Sequence, residues 1–162
     1  MKETLAFDPY LSEDKARQLG VKLVDLNILM SEADYISVNC PLVEETRNLI
    51  DTEQLAMMKS TAYLITTARG GIVNESALVN ALRNKAIAGA AVDVFEQEPY
   101  SGNLAGLDQC ILTAHMGSMS IDCRNRMEIE AVEEAVRFMR GEPLHSPVPE
   151  GEYINQEATG KE

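Results

Sequence analysis

The sequence predicts an α/β fold with a mostly parallel, doubly wound sheet. Two observations lead to this prediction. Short apolar runs of strand length alternate with segments of helical periodicity, and the helical segments carry capping residues at their ends. Strands that alternate with helices are joined by right-handed crossovers, which make neighbouring strands parallel. The six predicted strands read ETLAF, VKLV, YISVN, AYLIT, AGAAVDVF and CILT.

Polar residues of the kind that cap helices precede the helical segments. Ser12, Asp25 and Asn74 can each accept a hydrogen bond from a free N–H group of a first helical turn. Gly20 is placed to end the first of these helices, and a further short helix is predicted over residues 52–58. The helix after Asn74 has its apolar residues on one side, which indicates a buried face made of Ala77, Leu78, Ala81 and Leu82.

The last predicted helix covers residues 120–140 and ends at Gly141, with Pro143 behind it. Its spacing predicts a buried face made of Met127, Ala131, Val132, Ala135, Val136 and Met139. Residues 144–162 contain few apolar groups and are predicted to be disordered. We therefore divide the chain into one incomplete domain, residues 1–143, and a C-terminal tail, residues 144–162.

Composition limits the class of protein. The chain has 162 residues, of which 45% are hydrophobic, and this is enough for the core of one globular domain. A formal net charge of -12 argues against nucleic-acid binding, because no basic stripe is available to neutralise phosphates. No apolar run has the length of a membrane span or an export signal, so no membrane association is expected. The cysteines lack metal-ligand spacing and fit reduced, packed thiols in the cytoplasm; they are Cys40, Cys110 and Cys123.

Three polar side chains each follow a predicted strand: Arg69 after AYLIT, Glu98 after AGAAVDVF and His115 after CILT. The carboxyl ends of parallel strands share one edge of a sheet, so we expect these side chains to converge on one crevice. A guanidinium can bind a carboxylate in bidentate fashion, and an imidazole held by a carboxylate can carry a proton. This set fits the oxidation of a hydroxy acid. Taken singly, each residue also has an ordinary explanation: a surface arginine beside a glycine turn, a solvated loop acid, and a strand-end histidine bonded to backbone.

A long stretch of the sequence resembles a known family. The run TTARGGIVNESALVNALRNKAIAGAAVDVFEQEP, followed by ILTAHMGS, resembles the NAD-binding domain of the D-isomer-specific 2-hydroxyacid dehydrogenases, the family that includes D-3-phosphoglycerate dehydrogenase. The resemblance extends back through SVNCPLVEETRNLID to FDPY and implies a Rossmann-like sheet. In that family the arginine of ARGG binds the substrate carboxylate, the glutamate of DVFxxEP partners the histidine, and the histidine of HxG is the acid/base. The resemblance assigns these roles to Arg69, Glu98 and His115.

The resemblance also implies NAD as cofactor and a small 2-hydroxy or 2-oxo acid as substrate. Asp8 follows the first strand, where dinucleotide folds place an acid that binds the adenosine ribose and repels a 2′-phosphate, which favours NAD over NADP. The alternative is that Asp8 only caps a turn. By the resemblance, Asp93 holds the nicotinamide carboxamide. The same groove is expected to be lined, mainly through backbone, by Cys40, Pro41, Thr46, Thr67, Ala68 and Gly117.

The sequence departs from the family in one large respect. None of its ten glycines forms the G-x-G-x-x-G loop of dinucleotide folds, and Asp8 stands too close to Met1 to leave room for it. We therefore expect an N-terminally truncated domain that lacks its first βα unit. In the strand order 3-2-1-4-5-6 this loss separates ETLAF and VKLV from the strands that begin with YISVN. Either the gap closes by direct pairing, or another chain fills it, or the N-terminal part is loosely held.

Two smaller departures concern single residues. Ala114 stands where the family usually has proline before the histidine, and Asn74 stands where it usually has aspartate. Neither change removes a predicted catalytic group. We expect the alanine to loosen the backbone that aims His115 without altering the chemistry.

Two functional classes remain open. The first is an NAD-dependent oxidoreductase acting on a small D-2-hydroxy acid, with residues 1–143 as its NAD-binding-domain fragment. The second is a non-catalytic module, either a degenerate nucleotide-binding domain or a dimerisation unit. The three site residues favour the first class, whereas the missing phosphate loop favours the second for this chain by itself. A second copy in a homodimer, or a complementing chain, is the expected partner.

Overall fold

A computed structural model describes residues 3–147. Most of the tail that the sequence predicts to be disordered, residues 148–162, lies outside the described residues. The chain divides into two compact units, Met1–Gly117 and Ser118–Glu162. The first unit contains every strand of the described residues, and the second contains the long C-terminal helix.

The described residues form two parallel sheets. In the first, β1 pairs with β2, and in the second the order is β3-β4-β5-β6. The α/β fold class and the separation of the two N-terminal strands from the others are confirmed. The gap does not close by direct pairing of β1 with β3. The strands are β1 (Leu5–Ala6), β2 (Lys22–Leu23), β3 (Tyr35–Val38), β4 (Tyr63–Thr66), β5 (Gly89–Val92) and β6 (Cys110–Leu112).

The helices begin where polar capping residues were predicted. The Ser12 side chain accepts a hydrogen bond from Lys15 N at 3.3 Å, and the Asn74 side chain accepts one from Ala77 N at 3.0 Å. Asp25 occupies the N-cap position without a side-chain hydrogen bond. The helices are α1 (Glu13–Leu19), α2 (Leu26–Glu32), α3 (Thr52–Met57), α4 (Glu75–Arg83) and α5 (Ile121–Arg140).

The hydrophobic core lies against one face of the four-stranded sheet. Along β3 and β4 buried and more exposed side chains alternate, so that one face contributes Ile36 and Leu64, while Tyr35 on the other face is exposed. The four residues predicted for the buried face of α4 are buried, and Val79 is buried as well. Leu78 and Leu82 of α4 belong to the same cluster as Met30 of α2 and Leu55 of α3.

The prediction for α5 is wrong in one respect. The helix spans 20 residues and ends at Gly141 in the left-handed conformation, as expected, but none of its residues is buried. Met127 is 53% exposed and Met139 is 82% exposed. The periodicity of a helix indicates an apolar face but does not say what covers it, and the described part of the second unit contains no other helix or strand. No helix within residues 3–147 combines the length and the apolar character needed to cross a bilayer.

Candidate active site

The loops that follow β4, β5 and β6 bring the three predicted catalytic side chains together. Arg69, Glu98 and His115 line one cleft with a volume of about 350 Å³. The cleft lies at the carboxyl-end edge of the four-stranded sheet because each of these residues follows its strand within a few positions. The remaining walls of the cleft are formed by Leu42, Gly70, Val94, Phe95 and Glu96.

His115 and Glu98 form a hydrogen-bonded pair. The distance between His115 Nδ1 and Glu98 Oε2 is 3.1 Å, and both side chains are partly exposed to the cleft. The other oxygen of Glu98 accepts a hydrogen bond from Phe95 N at 3.1 Å. The bond to His115, followed by the bond from Phe95 N, lowers the pKa of Glu98 below its ordinary value. In a neutral imidazole that donates its Nδ1 proton to Glu98, the unprotonated Nε2 is left as a base.

Asp93 fixes the backbone of the loop that carries His115. Its Oδ1 accepts hydrogen bonds from Thr113 Oγ1 at 2.5 Å and from Met116 N at 2.8 Å, and its backbone oxygen accepts one from His115 N at 2.8 Å. These bonds hold His115 at a φ of +52°, a region that favours glycine. Asp93 is only 7% exposed. Its pKa is lowered, first by the Thr113 hydroxyl and then by the Met116 N–H, so the buried carboxylate is well partnered.

The loop of Arg69 packs directly onto the loop of Glu98. A Cβ atom at Gly70 would lie 2.0 Å from Phe95 C and 2.4 Å from Glu96 N, so only glycine fits there. The Arg69 guanidinium donates to Ala68 O at 2.7 Å. Within residues 3–147 it forms no ion pair, so it retains donors for an external carboxylate.

The residues predicted to bind the cofactor follow different strands and differ in their surroundings. Asp8 follows β1, and its Oδ1 accepts a hydrogen bond from Tyr10 N at 2.9 Å, which is the turn that the sequence offered as an alternative. Among the described residues its second oxygen has no hydrogen-bond partner. Asp8 is therefore able to cap its turn and to bind a ribose hydroxyl at the same time.

The residues expected to line the cofactor groove have mixed roles. Thr46 Oγ1 donates to Pro41 O at 2.6 Å and accepts from Val43 N at 2.8 Å, so its hydroxyl closes a loop. Burial raises the pKa of the Cys40 thiol, which packs against the core together with Ala68. Thr67 is exposed, and Gly117 lies beside Asp93 Oδ2. Their contacts with a cofactor stay predictions.

Sequence reasoning missed residues that hold the loop of Glu98. Glu75 Oε1 accepts a hydrogen bond from Glu96 N at 2.8 Å. Phe95 stacks on Tyr100 with ring centroids 4.2 Å apart, and the Tyr100 hydroxyl accepts from Leu104 N at 3.1 Å. The only sequence signal at Glu75 is an acid at the start of a helix, which every helix N-terminus favours.

Comparison with known proteins identifies the family. Residues 1–117 match the family described as "D-isomer specific 2-hydroxyacid dehydrogenase, NAD binding domain". The chain is 43% identical over 145 residues to the D-3-phosphoglycerate dehydrogenase of Synechocystis sp., covering 89% of this chain and 26% of that protein. The chain belongs to the D-isomer specific 2-hydroxyacid dehydrogenase family, and its sequence resemblance to that family is confirmed.

Solved structures agree with this assignment. The holo form of D-mandelate dehydrogenase from Rhodotorula graminis superposes with a TM-score of 0.82 and 30% identity, covering 91% of this chain and 44% of that one. D-lactate dehydrogenase with NAD+ from Lactobacillus jensenii superposes with a TM-score of 0.80 and 27% identity, covering 91% and 48%. The chain thus spans less than half the length of these relatives.

Proposed function

We propose that this chain is the NAD-binding-domain part of an oxidoreductase that transfers a hydride between a small D-2-hydroxy acid and a nicotinamide cofactor. The observation that carries the proposal is the 3.1 Å hydrogen bond between His115 Nδ1 and Glu98 Oε2 in the cleft that Arg69 also lines. Family membership supplies the reaction class, and the cleft supplies one group for each task that the reaction requires.

The side chains divide the chemistry between them. NAD supplies the hydride acceptor. Arg69 binds the substrate carboxylate through its guanidinium and thereby orients the hydroxyl-bearing carbon. His115 Nε2 removes the hydroxyl proton during oxidation and returns it during reduction. Glu98 holds the ring by its Nδ1–H group and stabilises the imidazolium that forms.

The chain's residues fit part of a dinucleotide. The free oxygen of Asp8 suits the adenosine ribose, and a carboxylate there disfavours the 2′-phosphate of NADP. Asp93 Oδ2, beside Gly117, is the atom we assign to the nicotinamide carboxamide, because Oδ1 is already engaged. Backbone atoms of the other predicted groove residues would complete the contacts. They are Cys40, Pro41, Thr46, Thr67 and Ala68. We assign residues 1–143 to the incomplete NAD-binding domain.

Partners and location are part of the same proposal. We propose a homodimer or a complex with a complementing chain, because α5 exposes Ile129, Val132 and Phe138, which are 58%, 63% and 75% exposed. The same observation favours the second candidate function, a non-catalytic dimerisation module. A cytoplasmic location is supported by the three cysteines, which are all free thiols. No nucleic-acid or membrane partner is proposed for this acidic chain.

A fluorescence titration tests the proposal. NADH is added to the full chain with and without a small 2-oxo acid, and the Arg69→Lys variant serves as a matched comparison. We expect saturable NADH binding in both proteins and tightening by the 2-oxo acid only in the wild type, because lysine cannot reproduce the bidentate contact. Absence of binding at millimolar NADH would favour the non-catalytic module.

A further inference from the structure

We propose that Glu75 is a positioning residue for the His115–Glu98 pair, acting through the backbone of Phe95 and Glu96. The purpose of this positioning rests on the proposed function, but the hydrogen bonds that support it do not depend on catalytic activity. It is carried by a sequence of hydrogen bonds that runs from the start of α4 to the imidazole.

The first step connects α4 to the loop after β5. Glu75 is the first residue of α4, and its Oε1 accepts from Glu96 N at 2.8 Å across 21 positions of sequence. Glu75 also shares a small cavity with Thr66, Arg69 and Gly70, beneath the loop of Arg69. The carboxylate therefore lies where the loops that supply two of the site residues meet.

The second step connects the adjacent peptide to Glu98. Phe95 N, which belongs to the peptide that joins Val94 to Phe95, donates to Glu98 Oε1 at 3.1 Å. This peptide is the direct neighbour of the one whose N–H reaches Glu75. Gly70 packs directly against the peptide that joins Phe95 to Glu96, because a Cβ at Gly70 would lie 2.1 Å from Phe95 O. Glu75 and Gly70 thus hold the peptide that joins Phe95 to Glu96, and the preceding peptide donates to one oxygen of Glu98.

The third step reaches the imidazole. With Oε1 of Glu98 held by Phe95 N, the other oxygen Oε2 is directed toward His115 Nδ1 at 3.1 Å. Glu98 is partly exposed, so few packing contacts are available to fix its rotamer. The alternative explanation of Glu75 is that it only stabilises α4 through the helix dipole. That alternative requires a negative charge at Glu75 but does not require the hydrogen bond from Glu96 N to a side-chain oxygen of residue 75.

Two substitutions separate these explanations. Glu75→Asp keeps the charge at the helix start but shortens the side chain by one methylene, so the bond to Glu96 N is lost. Glu75→Gln removes the charge but keeps an oxygen acceptor of the same reach. Glu53→Ala is the control, because Glu53 is the acid in the first turn of α3 and is exposed.

The measurement is the NMR titration of the Glu98 carboxyl carbon in the full chain, together with the imidazole nitrogen shifts. The chain has only two histidines, so the His115 signals can be assigned against His145. We expect Glu75→Asp to raise the Glu98 midpoint by about half a pH unit and to shift the His115 Nδ1 signal, as loss of one aligned hydrogen bond allows. Glu75→Gln and Glu53→Ala should remain within about 0.1 pH unit of the wild type.

The Glu98 midpoints of the two Glu75 variants can also overturn the inference. If Glu75→Gln moves the Glu98 midpoint and Glu75→Asp does not, the charge of Glu75 is what matters and the positioning role is wrong. No change in either variant overturns it as well. Neither readout requires cofactor or substrate, so a failed NADH titration leaves this inference standing and its own failure leaves the proposed function standing.

Discussion

The loops after β4, β5 and β6 and the N-terminal pair of strands, β1 and β2, are held in different ways. The loops rest on the core cluster, which includes Val92 and Phe95, and they are cross-linked by the side chains of Asp93, Glu75 and Glu98. The N-terminal pair is joined by backbone bonds such as Val24 N to Ala6 O at 3.0 Å. Of the described residues, none in β1, α1 or β2 belongs to that cluster.

This difference divides the proposed site into two halves. The half that would transfer a proton and bind a carboxylate is positioned by this chain's own core. The half that would bind the adenosine ribose depends on Asp8, which follows a strand of two residues beside the 40% exposed Phe7. We therefore expect mutations near the cleft to have large, local effects and the N-terminal pair to open first.

The largest expected effect is on the chemistry of the cleft. His115→Ala removes the group that returns the proton during reduction, and kcat for NADH-dependent reduction of a 2-oxo acid should fall by about 10²- to 10⁴-fold. His145→Ala is the matched control, since His145 is exposed and lies in the second unit. Equal kcat values for the two variants would show that His115 does not transfer the proton.

The next effect is on the packing between loops. Gly70→Ala places a Cβ 2.0 Å from Phe95 C, and we expect the free energy of unfolding to drop by about 3 kcal/mol. At Gly106 an added Cβ meets nothing within 4 Å, so Gly106→Ala should change stability by less than about 0.5 kcal/mol. Urea denaturation of both variants checks the difference. Similar values would show that the loops can separate without cost.

Amide hydrogen exchange compares the two regions directly. The amides of Lys22 and Val24, which bond to Thr4 O and Ala6 O, should exchange at least about 100-fold faster than those of Ala90 and Asp93, because opening the N-terminal pair exposes little core. Equal protection would mean that the N-terminal pair unfolds only together with the four-stranded sheet.

The smallest expected effect concerns the pH dependence of stability. The folded state lowers the pKa of Asp93, so its ionised form contributes stability above the unfolded pKa of about 3.9 and loses it as the pH falls through the lower folded value. Asp93→Asn keeps an oxygen acceptor but has no charge to titrate. Its deficit in the free energy of unfolding, about 1 kcal/mol near neutral pH, should shrink below about pH 4. A deficit that is constant down to pH 2 would contradict this assignment.

The sequence predicted those features that depend on local pattern or on chain order. Asn74 could be predicted as the N-cap of α4 because a short polar side chain directly before an apolar helix can accept a hydrogen bond from its first turn. The three site residues could be predicted to converge because all of them follow parallel strands. The role of Gly70 depends on a loop 25 positions away, and the bond of Glu75 depends on a peptide 21 positions away. The exposure of α5 could not be predicted for a different reason, since its periodicity is the same whether or not a partner covers it.

The roles proposed for Arg69 and His115 are tested together by the rate of NADH consumption by the full chain with a small 2-oxo acid, and by the chirality of the product. We expect turnover to the D isomer, with KM for the 2-oxo acid raised about 10- to 100-fold in Arg69→Lys and NADH affinity unchanged. Turnover that is unaffected by Arg69→Lys, or a wild-type rate no greater than that of His115→Ala, would contradict these roles.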